Sequence, residues 1–179
     1  NHQVMPNGDN LLGNFFNSTQ SATIIQKPGS LNLYYIITIG DYSNNYGLRY
    51  SVVDMNLNGG LGDVTKKKNV LLLNNVREKL SVVKKANGID YWLVTILYST
   101  NQFFTFSLTS SGINITPVIS FSGNIISDDA SGYLKFSPKG NKLVMCDLVS
   151  TGTSGAKAQL FDFDNVTGLI NNPIDLLPN

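Results

Sequence analysis

One order of events repeats three times along this chain. Each pass holds four short apolar runs parted by turn residues. The first pass uses residues 21–26, 33–39, 48–55 and 70–73. The second uses 79–84, 90–97, 102–108 and 116–121, and the third uses 132–136, 142–146, 158–163 and 173–177. The runs are rich in Val, Ile, Tyr, Phe and Thr, the side chains that suit a pleated surface. The second run of each pass is nearly all apolar, as expected of a strand covered on both faces. In the third run of the second pass, Phe104, Phe106 and Leu108 alternate with Thr105 and Ser107, which gives each strand face its own character. A four-stranded unit recurring at roughly 40–55 residues marks a propeller blade.

The expected fold is therefore all-β: a partial β-propeller of about three four-stranded antiparallel blades, cut from a larger ring. Residues 1–20 read as the end of a preceding blade and its connection. Blades follow at 21–75 and 76–125, and 126–179 forms a blade running into the next repeat. Propellers carry about four to eight blades, so three do not close a ring. The chain does not begin with Met and reads as an excerpt of a longer polypeptide. A twelve-stranded β-sandwich is the structural alternative.

Composition narrows the function. Charged residues make up only 14% and the formal net charge is +1, which speaks against a nucleic-acid-binding face. The run Lys66–Lys68 reads as a solvated edge or loop. No apolar run approaches the ~20 residues of a membrane span. The single cysteine, Cys146, alternates with Leu143 and Met145 and reads as a half-buried thiol. The single histidine, His2, stands at the start of the chain, so neither a Cys–His pair nor a Ser–His–Asp triad is expected. Phosphate-loop, dinucleotide and zinc motifs are missing, and no cofactor is expected.

A few residues could still carry a site. Asp162 and Asp164, with Asn165, Thr167 and Gly168, make the best start of an oxygen-rich cation loop; side-chain capping of a hairpin turn explains them equally well. Asp128 and Asp129 are paired carboxylates in a loop. Tyr42 and Tyr46 are large rings in a polar loop with no core to fill, and they are the expected partner contacts.

Two stretches resemble known families. Gly132-Tyr-Leu-Lys-Phe-Ser-Pro-Lys-Gly-Asn-Lys-Leu-Val144 resembles the hairpin of WD40-like (TolB-type) repeats, with Lys139 where those repeats usually carry Asp. The order His2–Gly8, Ser18–Ile25, Pro28-Gly29, Tyr34–Ile37, Leu48–Asn56 and Gly59–Val64 is similar to the propeller region of large Bacteroidota cell-surface proteins. Those proteins are of the gliding-motility-associated type, exported by the type 9 secretion system. The likeness implies secretion, attachment through a domain outside this chain, and an adhesive or partner-binding role. It implies no catalytic residue.

The expected function is thus a non-catalytic extracellular module on the outer cell surface, serving binding, adhesion or scaffolding. Its expected partners are the remaining blades of the same polypeptide, a protein or glycan at the surface, and the secretion machinery. The alternative is an accessory or active propeller of a secreted hydrolase whose catalytic residues lie elsewhere.

Overall fold

The computed structural model describes residues 3–13, 18–40, 46–125, 131–148 and 156–177. It is an all-β partial propeller of three antiparallel sheets. The first sheet holds β1 (Ala22–Gln26), β2 (Leu33–Ile39) and β3 (Leu48–Asp54). Its outer edge is shared by two short pieces, β4 (Asp63–Val64) and β5 (Val70–Leu73), both paired to β3. The second sheet runs from β6 (Val76–Lys84) through β7 (Tyr91–Leu97) and β8 (Gln102–Thr109) to β10 (Val118–Phe121), with the short β9 (Gly112–Ile113) turning back on β8. The third holds β11 (Gly132–Phe136), β12 (Lys142–Leu148), β13 (Ala156–Phe163) and β14 (Ile170–Asp175) in sequence order.

Neighbouring strands in sequence pair because short hairpins join them, and the alternation of side chains then fixes which face meets which sheet. Tyr91, Leu93 and Thr95 pair with Leu108, Phe106 and Phe104. From this face, Leu93, Phe106 and Leu108 share one core with Ile25, Tyr35, Ile37, Ile39, Leu48 and Val52 of the first sheet. The residues in between face the other way. Trp92, Val94, Ile96 and Phe103 share a second core with Leu134, Phe136, Leu143, Met145, Phe161, Phe163 and Ile170 of the third sheet. The middle sheet is thus covered on both faces, as a blade is by its neighbours. Phe103 meets Phe161 edge-on at 5.1 Å across the second seam, and Phe136 meets Phe163 at 4.8 Å within the third sheet. Each such pair adds about 0.5–1.5 kcal/mol beyond its buried area.

Several strand limits differ from those expected, three of them most. The fourth strand of the first blade is split in two, because the chain from Thr65 to Lys67 bows out while still bonding Val52 through Thr65 N–H and the Lys67 carbonyl, each at 2.8 Å. The first strand of the second blade begins at Val76 rather than Lys79. The last strand begins at Ile170 rather than Pro173; Pro173 fits there because β14 is an edge and needs no further N–H donor.

Candidate functional site

Strand polarity sorts the loops into two ends. First-to-second and third-to-fourth hairpins lie at one end of the stack; second-to-third loops lie at the other. Tyr46, expected as a partner contact, belongs to the second group. It is 37% exposed, and its carbonyl accepts the Arg49 Nε–H at 2.6 Å. Tyr42, Asp128 and Asp129 lie outside the described residues.

The two aspartates weighed between a cation loop and a capped turn are drawn to different partners. Asp162 is ion-paired to Lys142 across the β12–β13 pair and accepts Asn172 Nδ2–H at 3.0 Å. The Asn172 and Lys142 bonds hold its carboxyl below the ordinary range. Asp164 instead folds the β13–β14 hairpin. It accepts the Val166 N–H at 2.8 Å and the Thr167 hydroxyl at 2.7 Å, and these bonds, the hydroxyl first, depress its carboxyl as well. Among the described residues no three His, Cys, Asp or Glu side chains gather as a metal would need.

That hairpin docks on the middle blade. Trp92 Nε1–H donates to the Asn165 carbonyl at 3.0 Å, and Asn165 Nδ2–H donates to the Lys84 carbonyl at 2.9 Å. Lys85 Nζ sits 3.7 Å from the centre of the Trp92 ring and donates to Ser107 Oγ at 2.6 Å. Burial lowers the Lys85 ammonium from its ordinary value.

Near the inner edge of the stack lies a group that sequence reasoning missed. Arg77 and Lys79 of β6 reach Asp147 Oδ1 of β12 at 2.8 and 3.0 Å, and all three side chains are withdrawn from solvent. Lys79 Nζ also donates to the Ser131 carbonyl at 2.8 Å. Glu78 Oε2 accepts the Thr19 N–H at 3.0 Å. Thr19 Oγ1 in turn accepts Gly132 N–H, while the Gln20 amide pairs with both backbone groups of Leu134. These bonds stitch the segment before β1 to the first strands of the second and third blades. Burial and reciprocal pairing identify them as structural.

At the hairpin end, between the first and second blades, a cleft of about 540 Å³ opens. Its apolar lining is Leu33, Tyr35, Tyr50, Val52 and Ile113, and its polar lining is Thr65, Ser111, Lys27, Lys66 and Lys67. The two tyrosines meet edge to face at 5.9 Å. Burial first, and Tyr50 second, push the Tyr35 hydroxyl above its ordinary pKa, so it stays a neutral donor. None of the three lysines has a carboxylate within ion-pair distance among the described residues. Lys68, the third member of the basic run, differs: it is paired with Asp9 at 3.2 Å. The sequence signalled this site only weakly, because its parts come from four separated segments.

No family model and no curated protein matches the chain. Among solved structures, an α-L-arabinofuranosidase (CtGH43) from Clostridium thermocellum ATCC 27405 is similar in fold. It is 11% identical, with a TM-score of 0.51 over 87% of this chain and 50% of that one. That neighbour is a five-bladed propeller, and this chain spans about half its length. A eukaryotic initiation factor aligns at 11% identity over 90% of this chain and 34% of that one; its TM-score of 0.38 carries no argument.

Proposed function

We propose that this chain is part of a non-catalytic extracellular β-propeller module that binds a partner at the cell surface, by adhesion or as a scaffold. The observation that carries this reading is the division of labour among its polar side chains. Arg77, Lys79, Asp147, Asp162 and Asp164 are occupied within the fold, whereas the lysines of the inter-blade cleft have no ion-pair partner among the described residues. The secreted location and the Bacteroidota surface-protein setting rest on the sequence resemblance, as does a role for secretion machinery.

The remaining blades of the same polypeptide are the proposed neighbours of the stack. On the first blade, Ile24, Tyr34 and Ile36 face away from the middle blade, and Ile24 is 68% exposed. On the third, Tyr133, Leu148 and Ile174 form a second uncovered apolar stripe, each about half exposed. Such stripes are what a further blade covers in a stacked ring.

The test is retention of the full protein on immobilised glycans and on outer-surface protein fractions, with reducing-sugar and amine release followed in parallel. Saturable retention without product is expected. Turnover of any retained polymer would replace this reading with the hydrolase one.

A further inference from the structure

We propose that the cleft between the first and second blades binds an acidic glycan, a chain of sugar rings bearing carboxylate or sulfate groups. The inference rests on the binding-module reading above and names the class of ligand.

Three observations point the same way. The cleft volume, about 540 Å³, lies within the roughly 300–1,000 Å³ common for ligand sites. Lys27, Lys66 and Lys67 line it without an acidic side chain among the lining residues. That concentrates positive charge in a chain whose net charge is only +1. Charge of one sign in a concave site focuses the field and draws in a counter-ion. The rest of the lining, in contrast, is largely apolar and aromatic: Tyr35, Tyr50, Leu33, Val52 and Ile113.

A ligand that satisfies both halves needs a flat apolar face, hydroxyls and anionic groups on one scaffold. A pyranose ring stacks its C–H face on tyrosine. Its hydroxyls find Thr65, Ser111 and the Tyr35 phenol, and its carboxylate or sulfate meets the lysines. Inorganic phosphate would use the lysines and leave the apolar lining empty. The acidic side chains of a peptide would use them as well, but bring no ring to stack.

The fold holds the site open without help from the ligand. Tyr35 and Val52 are paired residues of β2 and β3. Ser111 and Gly112 are fixed by the β8–β9 turn, where Gly112 takes φ +129° and the Thr109 hydroxyl accepts the Ser111 N–H at 3.2 Å. Lys66 and Lys67 lie in the segment between β4 and β5, and Lys27 lies in the β1–β2 hairpin.

The experiment is affinity electrophoresis and calorimetry of the full protein with polygalacturonate, a sulfated glucan, unsulfated dextran and poly-glutamate. Polygalacturonate or the sulfated glucan should bind; between them they distinguish carboxylate from sulfate. Affinity should fall as salt rises, since surface charges are screened beyond about 10 Å at 0.1 M. The Lys27→Gln/Lys66→Gln/Lys67→Gln variant should lose about tenfold, and Tyr50→Ala several-fold, with unchanged circular dichroism.

Retention of a neutral glycan or a surface protein, with no binding of either acidic polymer, overturns the inference and leaves the module reading standing. Unchanged binding in the lysine variant also overturns it. Poly-glutamate binding that ignores Tyr50→Ala assigns the cleft to an acidic peptide and overturns it too. If no glycan and no surface protein is retained, the module reading falls with it.

Discussion

Arg77 Nη1 lies 2.8 Å from Asp147 Oδ1, and the two side chains, 70 positions apart, are 0% and 1% exposed. Lys79 Nζ reaches the same oxygen at 3.0 Å. The first strand of one blade is thereby pinned to the second strand of the next by two cations sharing one carboxylate. Burying such charges is costly, and the arrangement holds only while they remain paired. Asp147→Asn keeps the shape and removes the charge, taking from both cations the carboxylate they share in a buried interface. Loss of one partner in a buried pair costs about 3–5 kcal/mol, so denaturant unfolding should show a large fall in midpoint. The combined Arg77→Met/Lys79→Met/Asp147→Leu variant should be less destabilised than Asp147→Asn alone. Equal stability of Asp147→Asn and wild type would show that the carboxylate does not hold these strands.

Trp92 is the protein's sole tryptophan, and it sits where the third blade's outer hairpin docks. Replacing it by Phe removes the bond to the Asn165 carbonyl and weakens the stacking of Lys85. A buried hydrogen bond is worth about 1 kcal/mol and a part-exposed cation–ring contact about 0.5–1. A loss of about 1–2 kcal/mol is expected. Asn165→Ala removes the bond to the Lys84 carbonyl and should cost about 1 kcal/mol. Its emission spectrum should shift to the red as water reaches the indole. An unchanged emission maximum would mean that the hairpin stays docked without that amide.

Two glycines separate backbone strain from steric conflict. Gly59 takes φ +64° in open space, whereas Gly132 takes φ +141° where an added Cβ would strike the Cys146 carbonyl and lie 2.8 Å from Lys79 Cε. Gly59→Ala should cost about 1–2 kcal/mol, the ordinary penalty for a left-handed L-residue. Gly132→Ala meets backbone that cannot step aside and crowds the lysine that reaches Asp147. Its thermal midpoint should fall well below that of Gly59→Ala; similar midpoints would contradict the close approach of β11 to β12 and Lys79.

Much of this was legible from the repeat. The second and third strands of each blade, such as Leu33–Ile39 and Tyr91–Leu97, carry enough Val, Ile and aromatic character to announce themselves. The alternation of Phe104, Phe106 and Leu108 with Thr105 and Ser107 separated the two faces, and stacking then set which of them meets the first blade. The buried charges were not legible. Arg77-Glu78-Lys79 has the local chemistry of a solvated connection, and its burial depends on Asp147 and Thr19, which no local window contains. Asp162 and Asp164 left two readings open in the sequence, a cation loop and a side-chain-capped turn; the strand ends at Phe163, so Asp164 belongs to a turn and spends its oxygens there. The cleft escaped because it exists only once two blades stack.

The acid response of the last hairpin follows from that separation. Asp162 and Asp164 both have folded pKa values below the ordinary ~3.9, so the folded state favours their ionised forms. Their contribution is complete above the unfolded value and is lost as pH falls through the folded one. Because each is depressed by its own donors, the two should titrate independently. Carboxyl-resolved NMR should find both midpoints below those of a denatured reference. Asn172→Ala should raise the Asp162 midpoint and leave Asp164 in place; Thr167→Val should do the reverse. Adding millimolar calcium should move neither, since their oxygens already serve different partners. A joint shift of both carboxyls on adding calcium would instead restore the cation loop that their spacing suggested.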